Sequence, residues 1–293
     1  MEIRILRSFL AVAREQSISG AARSLHISQP SLSRQIMELE EEVGATLFLR
    51  GNRKITLTDQ GMLLRKRAEQ IVDLVRKTED EMAATEETVS GTVHIGAGET
   101  HAFRTVAQSV HALAERYPEI RFNLFSGNAE DVMERLDKGL VDFGVLIEPY
   151  DVAKYDYVRL PVVDVWGVVM RKDSPLAALD AVQAKDLRNV PLICSRQALG
   201  GGQLSSWFKT DYGKLNVVSS YNLLYNASLL AETGLGYVLC IDNILNTTGE
   251  SNLCFRPLKP ALTSQVNLVW KKYQIFSKAS ELFLNHMSER SVV

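Results

Sequence analysis

The stretch Ser19-Gly20-Ala21-Ala22-Arg23-Ser24-Leu25-His26-Ile27-Ser28-Gln29-Pro30-Ser31-Leu32-Ser33-Arg34-Gln35-Ile36 reads as two short helices about a tight break. Ala21 and Ala22 are small enough to let the first helix approach the second closely. Leu25, Ile27, Leu32 and Ile36 supply a shared core. Ser28 suits an N-cap, and Pro30 suits a first turn, where its missing N–H has no helical partner. Gln29, Ser31, Ser33 and Arg34 then stand exposed on the start of the second helix. The first residues of such a helix reach base edges in the major groove. Gln pairs bidentately with adenine and Arg with guanine, while hydroxyls and the helix N-terminus suit phosphates.

Upstream, Ile5, Phe9, Leu10, Val12 and Ala13 recur at helical spacing. Downstream, Leu47-Phe48-Leu49 and Lys54-Ile55-Thr56-Leu57-Thr58 flank a turn and predict a β-hairpin. Arg50, Arg53 and Lys54 make that hairpin a basic wing for the DNA backbone or minor groove. Beyond Thr58-Asp59, residues 62–88 contain no Gly or Pro, and Leu64, Ala68, Ile71, Val75, Thr78 and Met82 form a heptad seam. A narrow apolar stripe with charged flanks needs a partner. A second copy of the chain is the economical one, and packing on the chain's own domains is the alternative.

After Ser90-Gly91 the pattern alternates between strand and helix. Strands are predicted at Val93-His94-Ile95, 120–125, 141–147, 190–194, 215–219, 236–240 and 265–270, with a terminal helix at about 276–290. Such βαβ alternation predicts an α/β fold, and about 200 residues is long for one sheet, so two lobes about a cleft are expected. Ligands in such folds sit at the carboxyl ends of strands, near helix N-termini. That rule selects Glu99, Thr100 and His101, then Ser126 and Asn128, then Glu148. From the second lobe it selects Ser195, Arg196 and Gln197, with Gln203 after Gly200-Gly201-Gly202.

The formal net charge of -2 conceals an uneven distribution. Residues 1–67 hold 11 basic and 7 acidic residues, while the remaining 226 hold 22 and 28. A basic N-terminal part and an acidic remainder fit a polyanion reader joined to a separate partner domain. The longest apolar runs span a few residues, against the ~20 needed to cross a membrane, so none is expected to do so. The N-terminus lacks the apolar core of a signal peptide, and the expected location is the cytoplasm. Cys194, Cys240 and Cys254 show no CxxC spacing, so neither a disulfide framework nor a metal site is indicated. Cys194, near the expected cleft, is a candidate thiol sensor.

Signals for an enzyme are weak. Gly96-Ala97-Gly98 follows a strand, but His101 stands where the third glycine of a dinucleotide fingerprint falls. GxxxxGK[ST], HExxH and GxSxG do not occur. No cofactor is expected. An α/β binding protein or enzyme whose N-terminal helices only drive oligomerisation is the competing reading.

Residues 1–88 resemble the winged helix-turn-helix and linker helix of the LysR-type transcriptional regulators. The resemblance rests on Phe9 with Val12-Ala13, Ser19-Gly20-Ala21-Ala22, Leu25, Ser28-Gln29-Pro30-Ser31-Leu32-Ser33, Ile36 to Leu39-Glu40, Gly44, Leu47-Phe48, Arg50, and Leu57-Thr58 with Gly61. Tyr117-Pro118, Leu136 with Gly139, Val141-Asp142-Phe143-Gly144-Val145 and Gly234-Leu235-Gly236-Tyr237-Val238-Leu239 extend it to the remainder. It implies a multi-domain chain: an all-α winged helix-turn-helix (1–58), a long linker or dimerisation helix (59–88), and an α/β two-lobed periplasmic-binding-protein-like effector domain (91–293). Lobe I would comprise 91–161 and 266–293, and lobe II 162–265. The implied partners are double-stranded promoter DNA, a small-molecule effector, further copies in a homodimer or homotetramer through Leu64, Ala68, Ile71, Val75 and Met82, and RNA polymerase. Family members often place Ser or Thr at the first cleft turn, a role for Thr100. Glu99 departs from the family's common acidic-effector chemistry, and with Glu148 it favours a cationic or neutral ligand unless Arg196 or His101 offsets the charge.

Overall fold

The computed structural model describes residues 1–51, 54–83, 89–200, 202–209 and 212–291, in two compact units, Met1–Ala83 and Ala84–Val293. No helix among the described residues is long and apolar enough to cross a membrane.

The first unit runs α1 (Ile3–Glu15), α2 (Ile18–Ser24), α3 (Gln29–Val43), the antiparallel pair β1 (Phe48–Arg50) and β2 (Ile55–Leu57), and α4 (Asp59–Ala83). Leu6, Phe9 and Val12 of α1 meet Ala21 and Ala22 of α2 and Leu32, Ile36 and Leu39 of α3 in one core. Phe9 packs on Phe48 of the hairpin with ring centroids 5.1 Å apart. The buried stripe of α1 centres on Leu6 rather than on Ile5, and Ile5, Leu10 and Ala13 flank it half-buried. Ile27, expected in the core, is exposed. His26 adopts a left-handed conformation (φ 55) there, and the Ile27 N–H turns back to the Ala22 carbonyl at 3.1 Å.

Backbone-to-side-chain bonds join the wing to the helices. The Glu40 carboxylate accepts from the N–H groups of Leu47 (2.7 Å) and Phe48 (3.1 Å). Thr58 Oγ1 caps α4 by accepting from Gly61 N–H at 2.9 Å, and its hydroxyl donates to the Thr46 carbonyl at 2.7 Å. The expected seam on α4 is partly used within the chain. Ala68 is fully buried in this core, with Leu64, Ile71 and Val72 packed against it. Ala68 therefore has no surface to offer a second copy. Val75 is half-buried and Thr78 exposed, while Met62, Leu63, Leu74 and Met82 stand exposed. Residues 84–88, the expected end of this helix, lie outside the described residues.

The second unit contains β3 (Gly91–Ala97), α5 (Phe103–Arg116), β4 (Ile120–Ser126), α6 (Ala129–Asp137), β5 (Phe143–Ile147), β6 (Tyr155–Arg171), α7 (Ala184–Leu187) and β7 (Leu192–Ser195). There follow α8 (Arg196–Gly200), α9 (Gln203–Phe208), β8 (Val217–Tyr221), α10 (Leu224–Glu232), β9 (Tyr237–Ile241), β10 (Leu253–Pro257), β11 (Thr263–Lys271) and α11 (Lys278–Ser291). The strands run β4-β3-β5-β11-β6-β9-β7-β8, with β10 paired to β6. β3 lies parallel to β4 and β5, and β7 parallel to β8 and β9, as βαβ crossovers require.

Two lobes share one long strand. β6 pairs with β11 from Tyr155 to Val165, then with β9 from Trp166 onward. The strand thus changes lobe between Val165 and Trp166, beyond the 161/162 boundary expected from sequence. Lobe I buries Ile95, Val106, Phe143, Leu268 and Phe283, with Phe143 stacked on Phe276 at 5.0 Å. Lobe II buries Val168, Leu187, Leu192, Phe208 and Leu239.

Candidate DNA interface and effector cleft

α3 turns Leu32, Ile36 and Leu39 inward and leaves Ser28, Gln29, Pro30, Ser31 and Arg34 exposed, with Ser33 half-buried. Ser28 Oγ accepts from the Ser31 N–H at 3.3 Å. One oxygen lone pair is thereby engaged in the helix cap, and the O–H remains a donor. Lys54 is exposed beside β2. The Arg50 side chain and Arg53 fall outside the described residues.

In the second unit a cavity of about 70 Å³ opens between the lobes. At roughly 10–15 Å³ per enclosed water it holds several waters, the scale of a small metabolite. Glu99, Asn128, Glu148, Ser195, Gln197 and Gln203, all selected from the sequence, line it. So do residues that the sequence reading did not select: Trp166 from the strand crossing the lobes, Tyr221, Asn222 and Leu224 where β8 passes into α10, and Cys240 with Ile241 at the end of β9. The strand-end rule applies equally at the β8 and β9 termini, where Tyr221, Leu224, Cys240 and Ile241 carry no charged side chain to draw attention to them.

Four selected residues lie elsewhere. Thr100 is buried and donates its hydroxyl at 2.6 Å to Asp164, itself buried in β6, and it accepts from the Ala102 N–H at 3.0 Å. It therefore ties the α5 start to the inter-lobe strand and does not face the cavity. Burial pushes the Asp164 carboxyl above its usual range, against the opposing pull of the Thr100 hydrogen bond. His101 is half-buried beside that carboxyl. Ser126 is exposed on a separate depression shared with Phe103 and Leu124. Arg196 is exposed on an outer groove with Glu130 and Glu134. Among the described residues no Lys or Arg lines the cavity itself, so Glu99 and Glu148 share its lining with no basic side chain among them.

Polar links across the cleft come from both lobes. Gln197 accepts from the Ala129 N–H at the start of α6 and donates to the Ile147 carbonyl, both at 3.4 Å. Gln203 donates to the Glu148 carbonyl at 3.4 Å. Within lobe I, the Glu148 carboxylate accepts from Asn267 Nδ2 at 2.9 Å. Cys194, Cys240 and Cys254 are buried. Burial pushes the Cys194 thiol up to about 12, which leaves almost no thiolate at neutral pH.

These parts define a class: a winged helix-turn-helix unit and a two-lobed α/β sensor on one chain. Residues 3–62 match the bacterial regulatory helix-turn-helix proteins of the lysR family, and residues 86–291 match the LysR substrate binding domain. The chain belongs to the LysR family of DNA-binding transcriptional regulators, which are not enzymes. It is 32% identical over 221 residues to the HTH-type transcriptional regulator BsdA of Bacillus subtilis (strain 168), covering 74% of each chain. An uncharacterized HTH-type transcriptional regulator of Shigella flexneri, YfeR, is 28% identical, over 95% of this chain and 91% of that one. The crystal structure of full-length CbnR complexed with its target DNA superposes with a TM-score of 0.76 at 19% identity, over 99% of this chain and 100% of that one. At that identity the likeness speaks for the fold.

Proposed function

We propose that the first two turns of α3 read promoter bases through Gln29 and Arg34. Ser28, Pro30, Ser31 and Ser33, with Arg50, Arg53 and Lys54 of the wing, position the protein on the phosphates. The observation that carries this is the sidedness of α3: a continuous buried face of Leu32, Ile36 and Leu39 behind an exposed, donor-rich N-terminal half. Two copies pair along α4 within the 59–88 segment, using Val75, Met82 and the exposed Leu74, and such dimers associate into tetramers. The cleft of residues 91–293 takes a small neutral or cationic effector, because its lining among the described residues holds two carboxylates and no basic side chain. The effector changes how the assembly holds promoter DNA in the cytoplasm and how it meets RNA polymerase.

The test is a gel shift on the DNA flanking the protein's own gene. The expected result is a sequence-specific complex that weakens steeply with salt. Arg34→Ala should cost specific binding ~1–3 kcal/mol and affect random DNA less. Equal losses on both DNAs would remove Arg34 from base reading.

A further inference from the structure

The two aromatic side chains that line the interlobe cavity have their polar ends bonded within the protein. Trp166 Nε1 donates to the Ser264 hydroxyl at 2.9 Å, and the Tyr221 hydroxyl donates to the Leu239 carbonyl at 2.8 Å. With those handles satisfied, what each ring has left for a guest is apolar surface. The polar lining is of another kind. Asn128, Asn222, Glu99 and Glu148 carry planar groups, each held at one edge by the protein. Asn128 Oδ1 accepts from the Asp131 N–H at 2.9 Å, and Asn222 Oδ1 from the Leu223 N–H at 3.0 Å. Glu99 accepts across the cleft from the Leu224 N–H at the start of α10, and Glu148 accepts from Asn267. Among the described residues, these bonds leave both amides with N–H donors and both carboxylates with a second acceptor oxygen.

The remaining groups are therefore donors on amides and acceptors on carboxylates, beside apolar ring faces. An ammonium only donates: it pairs with Glu99 and Glu148 and leaves the amide N–H groups without acceptors. A carboxylate only accepts, and it meets two like charges. A hydroxyl does both, accepting from an amide and donating its proton to a carboxylate. A guest that buries a polar group without pairing it forfeits that group's hydration, so the mixed lining selects against both ions. We infer that the cleft takes a neutral polyhydroxylated ligand of monosaccharide size, its C–H surface against the Trp166 and Tyr221 rings and its hydroxyls bridging the amide and carboxylate groups. The several waters that the cavity accommodates match the several hydroxyls of a pentose or hexose, each hydroxyl taking the place of one water. This ligand class rests on the reading of the cleft as the effector site and narrows it from neutral or cationic to neutral.

Thermal unfolding of the full-length protein is followed with D-ribose, D-xylose, D-glucose, D-galactose and myo-inositol as probes. Cyclohexylammonium chloride and sodium benzoate are the cationic and anionic probes of similar size. Sucrose, too large for the cavity, controls for stabilisation by exclusion from the surface. A sugar with a Kd of about 1 mM, present at about 10 mM, should raise the Tm by about 3 °C through ligand linkage. Asn222 is exposed, and Asn222→Asp keeps an acceptor for the Leu223 N–H while removing both amide donors. It should abolish the sugar response. Glu148→Gln keeps an acceptor for Asn267 but loses the charge, and it should raise the midpoint of the sugar titration about tenfold. A response to cyclohexylammonium or benzoate alone overturns the polyol assignment, and where Asn222→Asp alters that response the cleft remains the effector site. A response of any class that both variants leave unchanged places the ligand elsewhere and overturns both readings. Silence with every probe overturns the polyol assignment, and the operator gel shift, scored separately, tells whether the regulator reading stands.

Discussion

Gly61 sits three residues into α4, and a Cβ placed there would lie 2.2 Å from the Leu47 carbonyl oxygen and 2.9 Å from Leu57 Cδ2. The first contact is with backbone, which cannot swing aside. Leu47 is held on both sides: its N–H by Glu40, and its carbonyl by the Thr58 N–H at 3.0 Å. Gly61→Ala therefore forces α4 and the wing apart by about an ångström, an overpacking strain of ~1–3 kcal/mol. Loosening the Thr58–Leu47 bond adds ~1 kcal/mol. Alanine's better helix propensity returns ~1 kcal/mol, leaving a loss of about 2 kcal/mol. On the scale of ~4–8 °C per kcal/mol for a unit of this size, the helical N-terminal transition should fall by about 10 °C in far-UV circular dichroism. Gly20→Ala is the matched control. Its nearest contacts lie at an ordinary 3.4 Å, in a helix, so it should be neutral or stabilising. A Gly61→Ala protein that unfolds at the wild-type temperature would refute the close approach between wing and linker helix.

Ile71→Asp and Leu74→Asp separate the two uses of α4. Ile71 packs on the chain's own core and Leu74 is exposed, so Ile71→Asp should destabilise the N-terminal unit by about 2 kcal/mol. Leu74→Asp should leave its Tm unchanged while shifting the assembly to smaller species by light scattering. An unchanged assembly would place the pairing surface elsewhere. Asp164 gives a pH signature. A carboxyl held above its usual range binds its proton more tightly folded than unfolded, so its contribution to stability falls as pH rises from the ordinary carboxylate pKa through the folded value. Asp164→Asn, which keeps an acceptor for the Thr100 hydroxyl, should flatten that fall in urea midpoints measured from about pH 4 to 7. Parallel profiles for wild type and variant would show that Asp164 titrates normally.

The DNA-reading unit was legible because its determinants are local. A cap at Ser28, paired alanines, a donor-rich turn and a basic hairpin all fall within about forty residues, each with a spacing that has one structural meaning. The use of α4 was less legible. A heptad stripe states that one face is buried but not by what, and α1 and the wing supply part of the cover over Leu64, Ala68 and Ile71. β6 escaped the periodicity reading altogether. Its alternation is broken by Pro161, by the buried Asp164 and by Gly167, whose added Cβ would meet the Phe255 ring at 2.1 Å. Those interruptions mark where the strand passes from one lobe to the other, so the residues that hid the strand are the ones its position demands.

Strand ends were sufficient to find part of the cleft lining and insufficient to say which way each side chain turns. Glu99 and Thr100 are neighbours on one loop, yet Glu99 crosses to lobe II while Thr100 turns back to the strand that joins the lobes. The loop therefore contacts both lobes. A ligand that draws Glu99 from α10 pulls on the same few residues that anchor the α5 start to Asp164. The connection from the cleft to β6 thus runs through the backbone between Glu99 and Thr100 and the Thr100–Asp164 hydrogen bond. This requires the Thr100–Asp164 bond to hold when Glu99 is released, as the burial of both groups favours, since breaking it would leave the Thr100 hydroxyl proton without its acceptor away from water.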